Sequence, residues 1–154
     1  MSQVVRVSII TPCFNVAPYV ERMIASVRAQ TLQCWEHILV DDGSTDETAR
    51  LIERAIADEP RSRLIKQSNR GVCAARNAGY RASNASTEFV YFCDADDMLH
   101  PQLLEKAVSY LDAHPEAGLV FCAYQYIDEH DRPLPTRIPP RYVPTALGVR
   151  AIPD

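Results

Sequence analysis

The sequence predicts an α/β fold, a mostly parallel twisted sheet with helices on both faces. Three observations carry that expectation. Apolar, β-branched runs alternate with runs of helical period from Val4 to Tyr126, the pattern of strands joined by helical crossovers. The first run, Val4 to Ile10 (VVRVSII), is nearly continuous in its hydrophobicity, as a central strand covered on both sides requires. The 154 residues, 47% hydrophobic and 23% charged, are enough for one domain with a substantial core.

The elements follow in order. Val4 to Ile10 is expected to end at Thr11-Pro12, and Pro18 suits a first helical turn before Val20, Met23, Ile24 and Val27, which recur on one helical face. Trp35 to Val40 (WEHILV) reads as a second strand, stopped by Asp41-Asp42-Gly43. Ser44 and Glu47 then have the S-x-x-E spacing of a capping box for a helix carrying Thr48, Leu51, Ile52, Ala55 and Ile56. Arg63 to Gln67 is a short strand, and Ser68-Asn69-Arg70-Gly71 has the chemistry of a loop. In the helix that follows, Ala74, Ala75, Ala78 and Gly79 are small enough for close approach to a sheet or ligand, although helix propensity alone also accounts for them. Phe89 to Cys93 is a strand, Leu103 to Leu111 a helix, and Leu119 to Tyr126 a further strand. Six prolines, Pro133, Pro135, Pro139, Pro140, Pro144 and Pro153, mark the remainder as a linker or crossing segment. The expected division is therefore a core over residues 1–127 and a Pro-rich stretch over residues 128–154.

The most demanding stretch is Glu88 to Pro101, EFVYFCDADDMLHP. Three carboxylates, Asp94, Asp96 and Asp97, crowd the end of a strand, a charge density that calls for hydration, protonation or a cation. A solvated helix cap and a cation site both satisfy it. In a parallel sheet, ligands bind beyond the carboxyl ends of the strands. The Thr11 to Asn15 turn, the Asp41-Asp42-Gly43 turn and Asp94 to Asp97 all follow strands directly, so the three fall on one edge. There Phe14 offers a ring for a base to stack on, Asp42 an acceptor for a base imide N–H, and Asp94 an acceptor for ribose hydroxyls. Asp96 is best placed for a hard divalent cation, Mg²⁺ or Mn²⁺, with Asp94 the second candidate. Asp41 and Asp97 fit equally well as turn-forming or solvated residues.

Bulk properties narrow the classes. A net charge of −4 leaves no nucleic-acid footprint. The five cysteines, Cys13, Cys34, Cys73, Cys93 and Cys122, contain no C-x-x-C pair and read as reduced, mostly buried thiols of a cytoplasmic protein. No signal peptide is evident in Met1 to Arg6, which has no basic region leading into an apolar one, and no apolar run in this sequence reaches the roughly 20 residues of a membrane span. Attachment at the inner face of a membrane would come only from sequence outside this chain.

Four motifs in order, VSIITPCFN, ILVDDGSTDET, NRGVCAARNAG and FCDADD, resemble those of the family 2 glycosyltransferases of Rossmann-like GT-A fold. The resemblance covers Val4 to about Tyr126. It implies a nucleoside-diphosphate sugar donor, with a UDP-sugar favoured, a divalent cation, and transfer to an acceptor hydroxyl with inversion, in the synthesis of cell-surface polysaccharide or glycoconjugate. No motif specifies the acceptor. By this resemblance Pro12, Phe14 and Asn15 line the base pocket, Asp42 binds the base, Asp94 and Asp96 form the D-x-D pair for ribose and metal, and Arg76 of the A-R-N-x-G segment lies near the donor. The family commonly has Tyr at the position of Phe14 and Thr or Val at that of Cys13. The general base of such enzymes lies on a later segment, and Asp128, Glu129 and Asp131 come too early to match it. The base is thus expected beyond Asp154, and the chain is expected to be the donor-binding part of a longer enzyme that alone transfers sugar poorly or not at all. Two other classes compete: a nucleotidyltransferase, which would want a Gly-rich basic phosphate loop that TPCFNVAP lacks, and a non-catalytic nucleotide-binding module. A dinucleotide-dependent dehydrogenase is disfavoured by the missing G-x-G-x-x-G after the first strand.

Overall fold

The computed structural model describes residues 4–128, 130, 132–134 and 150–151. The chain forms two compact units that meet in sequence between Gln102 and Leu103. In the first, the alternation seen in the sequence becomes β1 (Val7–Cys13), α1 (Val20–Arg28), β2 (Trp35–Asp41), α2 (Thr48–Ala55), β3 (Ser62–Lys66), α3 (Val72–Ala82) and β4 (Phe89–Phe92). The strands make a four-stranded sheet in the order β3-β2-β1-β4. Every pairing is parallel, with Val7 opposite Trp35 and Phe89, and His37 opposite Ser62. All carboxyl ends therefore share one edge.

Apolar continuity has the expected cause. β2 is buried along its whole length, and β1 at every position but Pro12. α1 buries Val20, Met23, Ile24 and Val27, and α2 buries Thr48 and Ile52. Ala75 of α3 joins Ile38 and Val40 in the core, with Ile65 and Ala78 packed against them. Gly79 is buried too, so the small-residue face of α3 is a packing face and not a matter of propensity alone.

β1 does not end at Thr11-Pro12 but runs through it to Cys13. Backbone groups of successive residues in a strand point to opposite sides. The Ile10 carbonyl accepts from Cys93 N–H on the β4 side, and the Cys13 carbonyl accepts from Asp42 N–H on the β2 side. Pro12 thus faces β4 beyond the last paired residues, Ile10 and Phe92, where no donor is needed.

The capping box does not form. α2 starts at Thr48, and its N-cap Glu47 makes no side-chain cap bond. Asp46 Oδ1 accepts the Thr48 N–H at 3.0 Å instead, while Ser44 Oγ accepts from the Asn15 N–H at 3.0 Å. Ser44 is taken by a partner that only the fold supplies, whereas Glu47 pairs with its near neighbour Arg50.

In the second unit, α4 (Leu103–Ala113) buries Leu104 and Val108. Of the strand expected over Leu119 to Tyr126, only β5 (Val120–Phe121) pairs, in parallel with β6 (Arg150–Ala151). The chain instead turns back on itself. An antiparallel bridge joins Ile127 and Pro133, and Asp128 Oδ1 accepts from the N–H groups of His130 and Arg132. Glu129, Asp131 and the Pro-rich stretch over residues 135–149 lie outside the described residues, as does Pro153. No described helix is long and apolar enough to cross a membrane. The cysteines are all free, but only Cys13 and Cys93 are buried, while Cys73 and Cys122 are exposed. Cys73 sits in the first turn of α3, off the face formed by Ala75, Ala78 and Gly79.

His37 is completely buried in β2, with Nε2 3.0 Å from Thr11 Oγ1. Burial holds its imidazole neutral by lowering the pKa to about 3, a nearby Glu59 opposing weakly. The unfolded chain takes up this proton near pH 6.5, about three units earlier than the native state. Stability from this residue is full above pH 6.5 and declines as pH falls toward 3, by about 1.4 kcal/mol per unit. Urea titrations are expected to give an unfolding free energy about 2 kcal/mol lower at pH 5 than at pH 7. His37→Phe is expected to flatten that slope; an unchanged slope would rule His37 out as its source.

Candidate functional site at the carboxyl edge of the sheet

Strand ends, and the turns they lead into, line an open cavity of about 540 Å³. β1 and the turn after it contribute Pro12, Cys13, Phe14 and Val16; the turn after β2 contributes Asp42. The loop before α3 contributes Asn69 and Gly71, α3 itself Val72, Ala75 and Arg76, and the acidic turn after β4 contributes Asp94, Ala95 and Asp96. Six sequence-predicted residues, Pro12, Phe14, Asp42, Arg76, Asp94 and Asp96, are thereby brought together. Phe14 is 46% exposed, a ring available for stacking and not part of the core.

Asn15 lies outside that lining. It adopts φ +53°, and its Oδ1 accepts from the N–H and hydroxyl of Thr45 and the N–H of Asp46. Val16 N–H donates to Thr48 Oγ1 and Ala17 N–H to Asp46 Oδ2. The first turn is therefore laced to the one before α2, which gives Phe14 a fixed platform.

Asp42 is 3% exposed and is the anchor of the loop before α3. Its Oδ1 accepts from Gln67 Nε2 at 2.7 Å and from Arg70 N–H at 2.9 Å, and its Oδ2 from Gly71 N–H at 2.7 Å. Burial pushes its pKa up, but these three donors outweigh it and hold the carboxyl below its ordinary range. Gly43 makes the approach possible, because a Cβ there would come within 2.8 Å of the Asn69 backbone nitrogen, at a φ of +76°.

Opposite Asp42, Arg76 Nη2 donates to Asp94 Oδ1 at 2.6 Å, and its guanidinium carbon stands 5.9 Å from the Phe92 ring centroid. Arg76 Nε is buried without a hydrogen-bond partner. In the acidic turn, burial, then Asp96, then Asp94 raise the Asp97 pKa, the electrostatic sign of negative charge in excess there. Asp97 N–H closes the turn on the Asp94 carbonyl. The buried thiols, Cys13 beside the cavity and Cys93 before the acidic turn, are both raised, chiefly by burial, which removes thiolate nucleophiles from the chemistry available.

The family model described as Glycosyl transferase family 2 matches residues 8–150. The chain belongs to this family. It is 33% identical over 135 residues to the uncharacterized glycosyltransferase EpsJ of Bacillus subtilis, an alignment covering 88% of this chain and 38% of EpsJ. Among solved structures it resembles S. aureus TarS 1-349 in complex with UDP-GlcNAc, at TM-score 0.71 and 25% identity over 78% of this chain and 34% of that one. It also resembles the mannosyltransferase PcManGT from Pyrobaculum calidifontis in complex with GDP-Man and Mn²⁺, at TM-score 0.72 and 29% identity over 80% of this chain and 37% of that one. The chain thus spans well under half the length of these relatives. Its fold is of the GT-A type.

As a member of glycosyl transferase family 2, the chain presents an oxygen-only donor set at the acidic turn. Among the described residues no three His, Cys, Asp or Glu side chains converge as a metal cage. Asp96, with Asp94 beside it and surplus negative charge around both, would suit a hard divalent cation by its oxygen donors. Lining residues that the sequence did not single out include Asn69, Gly71 and Val72, whereas Ala75 was among the small residues expected to approach a sheet or ligand. Gln67, which holds Asp42, was missed as well. The Asn-x-Gly turn ahead of α3 was the available signal for the first two.

Proposed function

We propose that this chain binds the donor of an inverting glycosyltransferase, a nucleoside-diphosphate sugar with UDP-sugars favoured, in the cavity at the carboxyl edge of its sheet. The observation that supports the reading best is the convergence of Phe14, Asp42, Arg76, Asp94 and Asp96 around one cavity. The two solved relatives were each captured with a nucleotide sugar. In this reading Phe14 stacks on the base, Asp42 accepts a base N–H, and Asp94 accepts from the ribose. Asp96 holds a divalent cation, Mn²⁺ or Mg²⁺. When bound, that cation supplies neutralising charge for the diphosphate. Arg76 keeps Asp94 oriented and adds positive charge on the same side. Residues 1–127 form the donor-binding core. The acceptor hydroxyl is activated by a carboxylate that we do not assign to any described residue. Synthesis of polysaccharide or glycoconjugate is the process that fits.

Titration calorimetry with UDP and UDP-sugars, with and without Mn²⁺, tests this. Mn²⁺ is expected to tighten binding by about tenfold or more, the worth of one charge-assisted contact, and Asp96→Ala to abolish the gain while remaining folded. Nucleotide binding that ignores Mn²⁺, or an Asp96→Ala protein that still responds to it, would overturn the metal assignment. Absence of any nucleotide binding would overturn the function.

A further inference from the structure

Asp42 meets the cavity with most of its acceptor capacity already used. An ionised carboxylate has about four lone-pair positions and no donor. Gln67 Nε2 and Arg70 N–H occupy Oδ1, at 2.7 and 2.9 Å, and Gly71 N–H occupies one position on Oδ2, at 2.7 Å. One acceptor position remains. Building on the reading of this cavity as a nucleotide site, we propose that Gln67 is a specificity-determining residue, which by capping Asp42 Oδ1 restricts Asp42 to a single N–H of the base and so selects uracil over guanine.

The bases differ in what they present. Uracil offers one imide N–H between two carbonyls. Guanine offers a ring N–H and an amino group side by side, and needs two acceptors on the same edge. Facing one free position, guanine buries an amino hydrogen without a partner, which disfavours it by about tenfold to a hundredfold. Adenine and cytosine set a ring-nitrogen lone pair against the carboxylate. Of the three donors on Asp42, two are backbone amides and only Gln67 supplies its bond from a side chain, so it can be removed without altering the loop backbone. The fold places it for this. Gln67 directly follows β3, and its N–H extends the ladder to the Asp41 carbonyl at 2.9 Å, which sets its side chain next to Asp42. Half-buried and outside the cavity lining, it acts through Asp42 as a positioning residue.

The test is the ratio of UDP to GDP affinity, measured by calorimetry in Mn²⁺ for wild type, Gln67→Leu and Gln67→Ala, each shown to be folded by thermal melting. A ratio taken within one sample is insensitive to a partly unfolded fraction. Wild type is expected to prefer UDP by about tenfold to a hundredfold, and both variants to lose about tenfold of that preference, mainly through stronger GDP binding. An unchanged ratio in the variants, or a wild type that prefers GDP, would overturn the role of Gln67 and leave the nucleotide site standing. Binding of neither nucleotide would overturn the site and this proposal together.

Discussion

Asp42→Ala is expected to lower the unfolding free energy by about 2–4 kcal/mol and to weaken UDP binding by about a hundredfold. The stability loss comes from the loop before α3. Without the carboxylate, the N–H groups of Arg70 and Gly71 lose their acceptor, and each orphaned backbone donor costs about 1–3 kcal/mol where water cannot fully replace the partner. The binding loss has two sources, the missing acceptor for the base and a loop no longer held over the cavity. Urea unfolding measures the first effect, and amide hydrogen exchange at Arg70 and Gly71 shows whether the loop itself has been released. Asp42→Asn, which keeps an acceptor but loses the charge, is expected to fall between wild type and Ala. Because the folded-state pKa of Asp42 lies below its ordinary value, its stabilisation is complete above the usual carboxylate range and fades as pH falls through the folded value. An Asp42→Ala protein as stable as wild type, with both amides still protected, would refute this account of the loop.

Gly79→Val is expected to cost about 3 kcal/mol or more, and Gly79→Ala up to about 2 kcal/mol. A Cβ on Gly79 would stand 2.4 Å from Ile10 Cγ2 and 3.3 Å from Val40 Cγ2. Those methyls sit on branched carbons, Ile10 in the middle of β1 and Val40 near the end of β2, where χ1 is restricted and no flexible end can swing aside. The helix itself must then move off the sheet, at a cost of about 1–3 kcal/mol for one methyl. That exceeds the roughly 1 kcal/mol by which alanine favours a helix over glycine. Since α3 carries Ala75 and Arg76 into the cavity, nucleotide binding is expected to weaken with stability. The cycle with Ile10→Ala checks the mechanism. Removing the Ile10 methyls is expected to make Gly79→Ala less costly than in the wild-type background, and strict additivity would exclude this contact as the cause.

The sheet, its helices and the clustering of Phe14, Asp42, Asp94 and Asp96 were legible in the sequence. Each depends on a local regularity: continuous apolar strands, helical spacing, and the rule that turns after parallel strands share an edge. The failures have a common physical origin. Ser44 and Glu47 carry a valid capping spacing, yet Ser44 is taken by the Asn15 backbone, a residue 29 positions away. Pro12 looked like a strand end because its missing N–H matters only if a neighbouring strand stands beside it, and β4 has already finished there. Leu119 to Tyr126 has strand composition, but pairing beyond Val120 and Phe121 requires a partner that composition does not supply.

What the sequence by itself determined is the family, the parallel alternation and the chemical types assembled at the strand ends, because those follow from spacing along the chain. The tertiary structure decided which side chains are free to meet a ligand. It turned Asn15 away to lace two loops, paired Arg76 with Asp94, and filled three acceptor positions on Asp42 with Gln67, Arg70 and Gly71. Hydrogen-bonding capacity is finite, and how it is divided depends on groups 18 to 30 residues apart, whose meeting is a property of the folded sheet and not of any motif.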